Sequence, residues 1–141
     1  MILQELEVCG MRNLLPQRLT FPKRVTVIFG QNGQGKTSVL EAIFLLSQNR
    51  SFRTSQIRDV VSRNAEDGRA RVCGRVKSRL GEREITLEIH KGRRSLLLDG
   101  KKAEAAGQFF GQLRVVTFTP EELQLVKGAP LLRRQFLDRT L

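Results

Sequence analysis

The sequence predicts an α/β fold: a mixed sheet carrying a glycine-rich turn, with a separate antiparallel β layer beside it. Three observations carry this reading. A β-branched and aromatic run, Val25, Thr26, Val27, Ile28 and Phe29, leads directly into a turn holding Gly30, Gly33 and Gly35. That turn opens into an apolar helical stretch with Val39, Leu40, Ala42, Ile43, Phe44, Leu45 and Leu46. Further on, residues 69–98 hold three alternating runs joined by short glycine-bearing connections, the pattern of an antiparallel meander.

Gly30, Gln31, Asn32, Gly33, Gln34, Gly35, Lys36 and Thr37 fit the phosphate-binding pattern G-x-x-x-x-G-K-[ST], and Ser38 follows them into the helix. The context is the one the motif needs: a strand suited to burial on both faces, the glycine loop, then a helix. Glycines let consecutive backbone N–H groups turn inward as an anion nest, where a Cβ would obstruct a phosphate. The helix adds its positive N-terminal end. Lys36 is expected to reach the β- and γ-phosphates of ATP, and the Thr37 hydroxyl to ligate Mg²⁺. The expected class is therefore a P-loop NTPase.

Taken in order, Ile2, Leu6 and Val8 alternate with Glu5 and Glu7, which predicts a first amphipathic strand. A loop over residues 10–16 follows, then a short apolar segment over 18–21, and Pro22 and Lys23 turn the chain toward the phosphate loop. Asn49 is placed to cap the nucleotide helix in the left-handed conformation. Residues 50–68 read as exposed connection with one helical piece over 56–63. In the meander, Ala70, Val72, Gly74 and Val76 face one way, while Arg69, Arg71, Arg75 and Lys77 face the other. Glu84 and Glu88 can pair with that basic row across the ladder. Ile85, Leu87 and Ile89 point inward on the next strand, and His90 sits alone at its end. A short helix is expected over 103–111 and a second buried strand over 113–119, stopped by Pro120. Helical spacing then recurs over 121–126 and from Leu131, without a cap before Leu141, so the chain is expected to be a fragment.

At 141 residues the chain is read as one domain with a net charge of +11, which points to a polyanionic partner, nucleic acid first. Arg50, Arg53, Arg58 and Arg63, on loops just after the nucleotide helix, are the candidate DNA contacts; the row from Arg69 to Lys77 is the alternative. No apolar stretch reaches membrane-spanning length, because Glu41 interrupts the longest run, and no signal peptide opens the chain. Cys9 and Cys73 lack zinc spacing and read as reduced thiols of a cytoplasmic protein.

The sequence also resembles the RecF family of bacterial recombination and repair ATPases, within the ABC-type heads that include the SMC proteins. The resemblance is carried by Met11, Arg12 and Asn13; by the phosphate loop with Leu40 to Ile43; by residues 50–54, 118–123 and 126–130; and by Arg133 to Asp138. It implies lobe I of an ABC-type head over residues 1–141, with the signature loop and Walker B strand of the later lobe absent. It implies an ATP-dependent DNA-binding protein of recombinational repair and replication, working with RecR and RecO and dimerising around ATP. Arg12 matches the family arginine near the nucleotide phosphates, and Asn13 accompanies it. Residues 118–122 match the Q-loop region, although the glutamine, Gln124, lies two residues further on. The fragment alone is expected not to hydrolyse ATP. Two other classes use the same residues: a P-loop kinase, or a DNA-binding module without ATPase activity. A GTPase is disfavoured, because no Asn-Lys-x-Asp tetrapeptide occurs.

Overall fold

Alternation of apolar and charged side chains builds one antiparallel sheet, and the helices pack on one face of it. The computed structural model describes residues 1–22, 25–104 and 106–118. Six strands, β1 (Ile2–Cys9), β2 (Gln17–Thr20), β3 (Arg69–Ser78), β4 (Gly81–His90), β5 (Arg93–Leu98) and β6 (Lys101–Lys102), lie in the order β2-β1-β3-β4-β5-β6. All neighbouring pairs are antiparallel. The expected meander is β3 to β5, and β6 adds two lysines too few to carry a periodicity.

The inward rows of β3 and β4 are buried as their alternation requires: Ala70, Val72 and Val76 on one, Ile85, Leu87 and Ile89 on the other. The outward row is charged and largely paired. Arg75 meets Glu5 of β1 at 3.1 Å, Lys77 meets Glu82 at 3.2 Å, and Arg71 lies 3.8 Å from Glu88. One element departs from simple alternation. The β1–β3 register shifts between Leu3 and Glu5, so Leu3 rather than Ile2 packs against the core, and Ile2 is exposed. A bulge changes the phase of every residue before it.

Helix α1 (Lys36–Gln48) crosses β3 and β4, burying Val39, Ala42, Leu45 and Leu46 at helical spacing. Each fully buried leucine contributes about 1.5–3 kcal/mol relative to exposure. Gly74 makes the close approach possible: a Cβ there would stand 2.7 Å from a Leu46 methyl and 3.1 Å from one of Leu3. The helix stops at Asn49, whose φ of 51° is left-handed and whose N–H reaches the Leu45 carbonyl at 2.9 Å, the cap the sequence predicts. The helical pieces expected over 56–63 and 103–111 are shorter, a 3₁₀ turn (Ile57–Val60) and α2 (Ala106–Phe109). Phe109 is fully buried.

The two segments expected as buried strands of a central sheet differ from that expectation. Residues 25–29 and 113–118 belong to no β-ladder, and Phe29, Val116 and Phe118 are 88%, 100% and 80% exposed. Strand composition supplies apolar side chains, but a strand also needs a neighbour for its N–H and C=O groups. Among the described residues none pairs with either segment. The helices expected over 121–126 and beyond Leu131, and the Q-loop position Gln124, lie outside the described residues. No described helix is long and apolar enough to cross a membrane. Cys9 is exposed and Cys73 buried, and burial pushes the Cys73 thiol up in spite of a hydrogen bond with Thr86.

Candidate phosphate-binding site

The glycine loop is built as its sequence demands. Gly30, Gly33 and Gly35 all have positive φ, at 148°, 83° and 90°. Gly35 is the N-cap of α1, and no side chain caps that end, so the first-turn N–H groups stay available to an anion. A Cβ on Gly35 would come within 2.5 Å of a Leu14 methyl, so only glycine lets the 11–14 loop lie against this turn. The Lys36 ammonium donates to the carbonyls of Gly30 at 2.9 Å and Gln31 at 2.7 Å, and the Gln31 N–H donates to Gln34 Oε1 at 3.0 Å. Such mutual bonding holds the loop curled before any ligand arrives.

Loop 10–14 is the second component. Gly10 ends β1 with φ 63°, at a point where a Cβ would stand 2.1 Å from the Arg69 carbonyl oxygen. Met11 bridges Val61, and the Arg12 N–H donates to the Val60 carbonyl at 2.8 Å. Asn13 then reaches the phosphate loop: its Nδ2 donates to the Gly33 carbonyl, and its Oδ1 accepts from the buried Ser38 hydroxyl at 3.1 Å. Of the two residues singled out by resemblance alone, Asn13 bonds the loop found by motif, and Arg12 lines the same groove.

The two meet an open groove of about 900 Å³. Its lining combines Arg12, Asn13, Asn32, Gly33, Gly35, Lys36, Thr37 and Ser38 with Arg53, Arg58, Asp59, Arg63 and Asn64. Three of the four arginines proposed from charge as DNA contacts therefore share the groove of the phosphate loop, and Arg50 stands outside its lining. Sequence reasoning missed Glu41. It reads as one more position on a core-facing helix, yet its fully buried carboxylate takes Arg12 Nη2 at 2.7 Å, Arg12 Nε at 3.0 Å and Arg53 Nη1 at 3.3 Å, with the Ser51 hydroxyl as a further donor. Burial pushes the Glu41 carboxyl up, but bonds from Arg12 and Ser51 and the charges of both arginines outweigh it and hold it below its ordinary value. The available signal was the lone charge between Thr37 and Gln48 on the stripe that α1 turns inward.

Known proteins resemble this chain in sequence and in fold. The family model described as RecF/RecN/SMC N terminal domain matches residues 2–123. The chain belongs to that family. The DNA replication and repair protein RecF of Myxococcus xanthus is 42% identical over all 141 residues, and that of Geobacter sulfurreducens 38%. The chain spans 37% of the length of the first and 38% of the second. A solved structure of the recombination mediator protein RecF-ATP in the RecFOR pathway superposes with a TM-score of 0.85 at 37% identity, covering 96% of this chain and 36% of that one. The SMC head domain from Thermotoga maritima matches at 0.59 and 24% identity over 74% of this chain and 39% of that one, a likeness of fold. The α/β P-loop head fold expected from the sequence is borne out by these superpositions, its antiparallel layer being the six-stranded sheet.

Proposed function

We propose that this chain is lobe I of a RecF-type ATPase head and carries the Walker A half of an ATP site in a DNA-binding repair protein. The observation that carries the reading is the curled glycine loop with Lys36 inside it, set against a groove that also holds Arg12. Gly30 to Gly35 and the open first turn of α1 would cradle the phosphates, and Lys36 and Arg12 would balance their charge. Thr37, exposed on the groove, would supply a hydroxyl to Mg²⁺. When bound, Mg²⁺ neutralises charge on the β- and γ-phosphates. Asn13 and Ser38 act on the loop, keeping the Gly33 carbonyl turned back.

The wider activity follows the RecF relatives: DNA binding in recombinational repair in the cytoplasm, partnership with RecR and RecO, and an ATP-dependent homodimer completed by a later lobe. DNA contact is proposed for Arg50, Arg53, Arg58 and Arg63, the last three from the rim of the nucleotide groove. The test is thermal melting with ATP–Mg²⁺. At about 100 times its dissociation constant the ligand should add about 2.7 kcal/mol to the wild type and nothing to Lys36→Ala. Equal, unmoved melting of both proteins would overturn the ATP site.

A further inference from the structure

Behind the groove-lining Arg12 and Arg53 stands one fully buried charged residue that touches neither the phosphate loop's backbone nor the open space. Glu41 sits on the second turn of α1, fully buried, and it connects three separate pieces of chain: loop 10–14 through Arg12, its own helix, and the 50–54 turn through Ser51 and Arg53. We propose that Glu41 is a positioning residue that fixes the Arg12 guanidinium, and more loosely that of Arg53, toward the phosphates of a bound nucleoside triphosphate. The proposal rests on the reading of this groove as an ATP site.

The geometry is specific about Arg12. Glu41 takes its Nε and Nη2 edge side-on, and the Asp59 carbonyl takes Nη1 at 2.6 Å. A guanidinium has five N–H donors, so two remain, and Arg12 lines the groove with Lys36 and Thr37. The backbone supports the same arrangement: Arg12 has φ 50°, in the left-handed region that side chains adopt only when their surroundings hold them there. Arg53 is held by one longer bond and is 41% exposed. Glu41 thus prepares one fixed cation and one adjustable cation on the groove. A neutral residue at this position would leave both guanidinium groups without the carboxylate that orients them.

The test compares binding of ATP and AMP, both with Mg²⁺, to wild type, Lys36→Ala, Arg12→Ala, Glu41→Gln and the Arg12→Ala/Glu41→Gln pair, well below their melting temperatures. Losing an aligned charged hydrogen bond should weaken ATP about tenfold in Glu41→Gln, with AMP little changed. The double variant should lose only slightly more than Arg12→Ala alone, because Glu41 acts chiefly through Arg12 and only loosely through Arg53. A purely structural role would lower the melting temperature and leave the ATP-to-AMP preference intact; that result overturns the proposal, as does full additivity. Should Glu41→Gln not fold, Glu41→Asp decides, since it keeps the charge and shortens the reach: wild-type ATP affinity there overturns the proposal, and weakened ATP affinity supports it. Failure of the underlying reading looks different. In that case wild type and Lys36→Ala bind ATP equally poorly, and both readings fall together.

Discussion

At the scale of single residues, the site depends on which charges are out of water. Glu41 is ionised although fully buried, because Arg12 and Arg53 compensate it. Its carboxyl is held below the ordinary value, so it contributes stability that is fully present above the unfolded-state pKa. That contribution fades as pH falls through the lower folded-state value. Removing the charge strands two arginines that are 19% and 41% exposed, so the cost should lie near the low end for a buried pair, about 3 kcal/mol at neutral pH. The stability gap between wild type and Glu41→Gln is expected to be constant from neutrality to about pH 5 and to narrow below the ordinary carboxylate range near pH 4.3. Urea unfolding of both proteins across pH 3–8 checks this; a gap that widens in acid would contradict it.

At the scale of elements, α1 joins the sheet to the site, and its two ends are built differently. The N-terminal end is left open, as a phosphate site requires. The C-terminal end is closed by Asn49 in the left-handed conformation, with Arg94 of β5 donating to the Asn49 carbonyl. Asn49 fits imperfectly, since its side-chain oxygen is buried without a hydrogen-bond partner in this structure. Glycine adopts the same φ without strain and removes that oxygen. Relief of a buried unpaired acceptor is worth about 1–3 kcal/mol, against about 0.5–1 kcal/mol for the extra chain entropy of glycine. Asn49→Gly should therefore stabilise the protein by about 1 kcal/mol, read as a higher urea midpoint at unchanged slope. A lower midpoint would mean that the asparagine amide has a role in the cap.

For the whole molecule, net charge sets the expected partner and the residues at the groove set the expected chemistry. A net charge of +11 supports phosphate-dominated, sequence-tolerant DNA binding. The outward row of β3 is largely neutralised by glutamates, whereas Arg50 and Arg63 have no acidic partner among the described residues and Arg58 has only its chain neighbour Asp59, at 3.9 Å. Affinity for duplex DNA should fall by roughly 0.7–0.9 log unit per log unit of salt for each phosphate neutralised. An Arg50/Arg53/Arg58→Ala variant should show a shallower slope in the same salt titration; an unchanged slope would move the DNA surface to the sheet. Phosphoryl transfer also needs an acidic metal-holding residue and a group that orients the attacking water. Glu41, occupied by two arginines, is unsuited to either task. We expect no steady ATP hydrolysis by the 141-residue chain, and a Lys36-dependent phosphate release assay would reveal it if present.

The sequence by itself determined the phosphate loop, the limits of α1, its Asn49 cap and the β3 to β5 meander. Each is specified by neighbours in the chain: glycines where φ is positive, a helical stripe ended by a left-handed residue, alternation matched to the pleat. Tertiary structure alone decided the rest. Glu41 lies 29 residues from Arg12 and 12 from Arg53, and such a pairing leaves no period to read. It also decided that Arg53, Arg58 and Arg63 share a groove with Lys36, because the fold returns residues 53–64 beside loop 10–14. Residues 25–29 and 113–118 mark the same boundary from the other side. Composition makes them strand-like, but a strand exists only where another chain segment offers its hydrogen bonds, and that is a property of the assembled fold.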